Sequence, residues 1–231
     1  MKTTTQETFV ADSRMARRSF LKYAGAGAVA AGVLATAASC QKHGGVVSDP
    51  QVIDLGTGDI AVLNYAYALE QLEAAFYKRV IDSKYSGMNA DETALLTDIR
   101  DHEVIHAAFF KAALGGNAIP DLTANFATIN FNDRTAVLTA AKTFEDLGVA
   151  AYNGAGALIQ TTEYLVLAGK IVSVEARHAA LIRNLLNQNL ADESILDLST
   201  GLEKHKAPSQ VLPIANSFIT GKPLSAPALG A

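Results

Sequence analysis

Tryptophan is absent from the 231 residues, and cysteine occurs once, as Cys40. A single thiol excludes any disulfide within the chain. Proline is scarce, six residues in all, and four of those stand at or after Pro208. A middle region almost free of proline and rich in alanine favours helix over sheet. Basic residues form no stripe. Residues 1–39 hold five of the 19 Lys and Arg, leaving fourteen against twenty-one Asp and Glu, a balance of about −7. That surface is wrong for nucleic acid. With 49% hydrophobic residues, the chain is long enough for one sizeable domain.

The first 39 residues read as a targeting segment. "RRSFLKYAGAGAVAAGVLATAASC" places Arg17 and Arg18 before Phe20, Leu21 and Lys22, then a mildly apolar Ala/Gly run. It resembles a twin-arginine export signal, which implies passage through the Tat translocase as a folded protein. The run from Tyr23 to Ser39 is short and glycine-rich for a transmembrane helix. "TAASC" resembles a lipoprotein cleavage site, with Ala37 where such sites usually carry Leu. On that likeness Cys40 becomes the acylated first residue of an envelope or periplasmic protein, held to the membrane by lipid alone. Ordinary cleavage nearby would instead leave a free thiol. Residues 40–58 are polar and Gly-rich, and read as a tether.

Four helical patterns follow over 59–188. Apolar and selected polar positions recur at alternating spacings of 3 and 4, which keeps them on one face of a helix. The first pattern spans Asp59 to Ser83. The second runs from Ala90, capped by Ser86 or Asn89, to Leu114, where two glycines stop it. The third runs from Arg134, capped by Asn132 or Asp133, to Gln160, and the fourth from Thr162 to Gln188. Short connections predict two antiparallel hairpins, and the 18 residues "GNAIPDLTANFATINFND" suffice for a crossover along the bundle. The expected fold is all-α, a four-helix bundle. Residues 189–231 read as an irregular tail packed partly on it.

The two hairpins look like copies. "EQLEAAFY" at 70–77 aligns with "EDLGVAAY" at 145–152, and "EVIHAA" at 103–108 with "EARHAA" at 175–180. Counted from each turn, Glu70 and Glu103 are level, and Glu145 and Glu175 differ by two residues, roughly 3 Å along a helix. Four carboxylates and two imidazoles, His106 and His178, therefore meet at mid-bundle. Each carboxylate in such a core faces desolvation of several kcal/mol, as an order of magnitude, plus mutual repulsion. Two dications would cancel four negative charges, so charge balance predicts two metal ions. Glu73, one turn beyond Glu70, competes with it, but its repeat partner is Gly148, which cannot ligate. Tyr77 and Tyr152 either hydrogen-bond carboxylates or pack the core. His102 is expected to face elsewhere, and Glu163 to favour a helix start.

One Glu from each of two helices and Glu-x-x-His from each of two others resembles the ferritin-like di-metal carboxylate proteins. With the export-like start and the stretches "LEQLEAAFY" and "VEARHAAL", the chain is similar to the exported bacterial ferritin-like domain group that includes desiccation-related proteins. The resemblance implies terminal carboxylates at Glu70 and Glu145, bridging ones at Glu103 and Glu175, and nitrogen ligands at His106 and His178. It also implies two iron ions, or manganese, and oxidoreductase chemistry on dioxygen or peroxide in stress protection. A dimanganese catalase-like activity, or metal binding and desiccation protection without turnover, are the alternatives. No rubredoxin-like cysteine pair is present, so the electron donor must be external. A lipid tether and long tail disfavour a closed storage cage.

Overall fold

The structure, a computed structural model, describes residues 51–231; Arg17, Arg18 and Cys40 lie outside them. Four long helices carry the fold: α1 (Gly58–Asp82), α2 (Ala90–Leu114), α3 (Arg134–Ala155) and α4 (Thr162–Leu185). Asn89 caps α2 by accepting from the Glu92 amide, and Asp133 caps α3 by accepting from Ala136, which satisfies otherwise orphaned donors. The apolar contacts give the direction of packing. The first half of α1 packs with the last turns of α2, and its second half with the start of α2, so the pair is antiparallel. Helices α3 and α4 pair likewise, and the crossover 115–133 joins the hairpins. Among the described residues, no helix is long and apolar enough to cross a membrane.

Two helix ends differ from the expectation. The third helix stops at Ala155, and a single 3-10 turn, Gly156–Leu158, replaces its predicted last turn. Gly154 and Gly156 weaken the helix there, and the Asp59 carboxylate takes the Gln160 and Thr161 amides at 2.8 and 3.0 Å. Those two amides are thereby lost to an α-helical ladder. Helix α4 ends at Leu185 rather than Gln188, because Asn187 turns left-handed at φ 56° and the Gln188 amide bonds back to the Arg183 carbonyl.

The tail folds more than expected. It forms helix α5 (Pro208–Asn216), whose Val211, Leu212 and Ala215 are buried in the core. Paired two-residue strands flank it. In chain order they are β1 (Ile53–Asp54), β2 (Thr123–Ala124), β3 (Leu196–Asp197), β4 (Leu202–Glu203), β5 (Ile219–Thr220) and β6 (Leu224–Ser225). β6 runs parallel to β1, β5 antiparallel to β2, and β3 pairs with β4. The tail therefore ties down both the entry to α1 and the crossover. Phe218 completes this seal, packing on Phe126 of the crossover and Phe144 of α3 with ring centroids 6.2 and 4.9 Å away.

Among the described residues, most buried apolar side chains fall into two clusters. One gathers Leu55, Leu69, Leu72, Phe110, Leu147, Ile171 and Leu212; the other holds Phe76, Val80, Leu96, Ile99, Leu138, Phe144 and Ile182. On every long helix the residues between the two clusters include Glu, or Glu and His. A polar layer thus interrupts the core at mid-bundle.

Candidate metal centre

Each long helix contributes to that layer. Glu70 comes from α1, Glu103 and His106 from α2, Glu145 from α3, and Glu175 and His178 from α4. The i, i+3 spacing puts each Glu and its His on one helix face. All four glutamates have no exposed surface, and His178 keeps 2%. One donor atom from each of Glu70, Glu103, His106 and Glu175 lies within 4.8 Å of the others. Glu103, Glu145, Glu175 and His178 form a second such group. Glu103 and Glu175 belong to both. The internal repeat has become a pseudo-twofold pair of overlapping clusters.

The inward atoms are crowded and unpaired. His106 Nδ1 stands 2.9 Å from Glu175 and 3.2 Å from Glu70, and His178 Nδ1 stands 2.7 Å from Glu103. With the rings protonated these contacts are ion pairs, but none meets hydrogen-bonding geometry. Both oxygens of Glu103 and Glu175, Oε2 of Glu70 and Glu145, and Nδ1 of both histidines are buried without a hydrogen-bond partner. Native interiors rarely tolerate one such atom, let alone eight converging on a point. What satisfies donor atoms all facing inward is a cation between them.

The outward oxygens, in contrast, are satisfied. Tyr77 on α1 donates to Glu145 Oε1 on α3 at 2.5 Å, and Tyr152 on α3 donates to Glu70 Oε1 on α1. Each tyrosine thus braces a buried glutamate of the other hairpin. Burial first, then the facing carboxylate, pushes both phenols well above their usual range, so they remain protonated donors.

The ionisation of these side chains reports the same appetite for positive charge. Burial, then neighbouring glutamates, raises Glu70 well above the usual carboxylate range, and burial raises Glu145 to about 8. Burial alone would lower the imidazoles, but the surrounding carboxylates win and push His106 and His178 up to about 12. Glu103 runs the other way: burial would raise it, but the His106 and His178 imidazoles beside it pull it down to about 2.

Glu73 is also buried, yet it belongs to neither cluster. Its carboxylate lies against Gly148, where an added Cβ would stand 3.0 Å from Oε1. The glycine in the repeat partner's place therefore makes room for the extra acid. Glu163 is exposed in the first turn of α4, where a negative charge suits the helix dipole. His102 corrects the sequence reading. It does not turn away from the site: its Nδ1 lies 2.9 Å from His178 Nε2. The signal was present as the spacing His102-x-x-x-His106, which puts both imidazoles on one side of α2.

A small apolar cavity of about 30 Å³ lies between the ends of α2 and α3 and the starts of α1 and α4. Leu69, Phe110, Ile171 and Tyr152 are among the residues lining it, and the Tyr152 hydroxyl reaches on to Glu70.

The donor set fits metal ions: carboxylates and imidazoles, buried, convergent, unpaired and braced from behind. No curated protein matches the chain. A family model described as a ferritin-like domain matches residues 58–188, more than half of the chain and all six of these residues. With its two hairpins, its crossover and its mid-bundle layer of glutamate and histidine, the chain belongs to the ferritin-like domain family.

Proposed function

We propose that this protein binds a dinuclear iron centre, with manganese as the competing metal, and reduces peroxide or dioxygen in the cell envelope. The observation that carries the reading is the pair of overlapping four-residue groups sharing Glu103 and Glu175. Glu70 and His106 would complete one position, and Glu145 and His178 the other. Four carboxylates balance two dications, leaving the buried site near neutrality. Oxygen donors with few nitrogens and no sulfur suit iron and manganese.

Two such ions supply two one-electron steps, matching the two electrons that reduction of peroxide to water requires. The chain's own residues set the conditions for that chemistry. Tyr77 and Tyr152 hold the terminal carboxylates in place. The apolar clusters above and below keep bulk water out. The cavity beside Tyr152 is apolar and has room for a molecule the size of dioxygen, which supports a small oxidant. The electrons must come from an external donor.

The export-like start and Cys40 support delivery by the Tat translocase in folded, metal-loaded form, followed by lipid anchoring. Folding before export would let the bundle close on its metal inside the cell. The test is metal analysis and spectroscopy of protein purified from the envelope, before and after peroxide. Iron near two ions per chain, with an absorption change completed by one peroxide, is the expected result. Manganese with sustained dioxygen release would identify a catalase instead. Zinc alone, or metal that does not respond to either oxidant, would sink the redox reading.

A further inference from the structure

We propose that His102 is a positioning residue that fixes the His178 ring and makes the two halves of the metal centre unequal. The inference rests on His178 being a ligand, as proposed above. His178 points Nδ1 at Glu103 and Nε2 at His102 Nδ1, 2.9 Å away. An imidazole that ligates through Nδ1 keeps its lone pair there and carries its proton on Nε2. That proton is donated to His102 Nδ1, so His102 carries its own proton on Nε2. The two rings stack at 22° with centroids 5.2 Å apart, which limits rotation of the His178 ring. A flipped His178 would present carbon to the site, and the bond to His102 opposes that flip.

The bond also spans an open seam. Helices α2 and α4 approach each other less closely than the partners within either hairpin. His102 is exposed on α2, whereas His178 is buried on α4. This contact therefore holds a ligand from across the gap.

The repeat supplies the control. His102 precedes Glu103 as Val174 precedes Glu175, so Val174 holds the place related to His102 by the pseudo-twofold. Valine has no nitrogen or oxygen on its side chain to offer His106. His106 is correspondingly the less enclosed of the two ligands, with 12% of its side chain exposed against 2% for His178. The asymmetry is written in one pair of positions, His102 and Val174.

Titration of the metal-stripped protein with manganous ion under argon tests this. Wild-type protein should take up two ions. His102→Val should weaken one of them by about 10- to 100-fold and leave the other unchanged. His102→Gln, whose carbonyl oxygen can accept from Nε2–H, should recover most of that loss. Unchanged binding in His102→Val, or an equal loss at both positions, would overturn the proposal. A second readout needs no metal: a nitrogen–nitrogen coupling across the hydrogen bond between His102 Nδ1 and His178 Nε2 in labelled protein. Its presence supports the positioning contact, and its absence overturns it. Wild-type protein that takes up no manganese but shows the coupling would fail the dinuclear reading while leaving the contact between the two histidines standing.

Discussion

Tyr77 and Tyr152 show what single residues reveal and conceal. Their spacing from Glu70 and Glu145 fixes the helix face on which they lie, but not which hairpin they serve. That depends on how the hairpins dock, and each hydroxyl proves to cross to the opposite one. Replacing Tyr152 with Phe would leave Glu70 Oε1 buried without its donor. A loss of about 1–3 kcal/mol in chemical denaturation of the metal-free protein is expected. The six glutamate and histidine positions were readable because their types recur at one spacing in two copies. His102 escaped because its partner sits on another helix, 76 residues away.

The same residues make stability depend on pH. Glu145 rises from 4.5 to about 8 on folding, and His106 and His178 from 6.5 to about 12. A folded state that holds extra protons is most stable below the unfolded values and loses that stability as pH rises. The metal-free protein should therefore melt at lower temperature at pH 9 than at pH 5. Added manganese should reverse the trend, since protons compete with it for the same atoms. Thermal melts with and without manganese should diverge as pH increases. A metal-free protein that gains stability from pH 5 to 9 would contradict the clustered site.

At the scale of elements, caps and periodicity located four helices to within about five residues. The end of α3 is set by Gly154 and Gly156, which weaken the helix locally, and by Asp59, about a hundred positions away, which no nearby residue announces. Gly154 illustrates how tertiary contact overrides propensity. Gly→Ala inside a helix ordinarily gains about 1 kcal/mol. Here the new Cβ would stand 2.0 Å from the Lys206 carbonyl oxygen, and Lys206 donates its amide to Ala150. Backbone cannot yield as a flexible side chain would, so the clash decides the sign. Gly154→Ala should lower the melting temperature and speed proteolysis of the segment around Lys206.

Arg183 ties elements together from inside. It is 2% exposed, and its Nε and a terminal nitrogen reach the two Asp146 oxygens of α3 at 3.0 and 2.6 Å. Its other terminal nitrogen reaches Asp192 in the loop after α4 at 3.2 Å. Arg183→Ala would remove the shared partner of both carboxylates, and the midpoint of a denaturant titration should fall. Asp146 was invisible to the sequence reading, since it follows Glu145 and lies off the ligand face.

The whole molecule is two apolar clusters separated by a charged layer. Connection lengths alone disclosed the paired hairpins and the crossover. The tail did not disclose itself, because a nine-residue helix containing Pro213 and strands two residues long fall below any periodic signal. The charged layer sets the logic of the protein: on the proposed reading two cations would join all four helices through it, and at low pH protons take their place. Anaerobic titration of metal-stripped protein with ferrous ion, comparing Glu70→Gln with Glu103→Gln, tests this most directly. Two ions per wild-type chain are expected, with one lost in Glu70→Gln and both weakened in Glu103→Gln, whose side chain belongs to both groups. One ion or none in the wild type, or identical behaviour of the two variants, would contradict it.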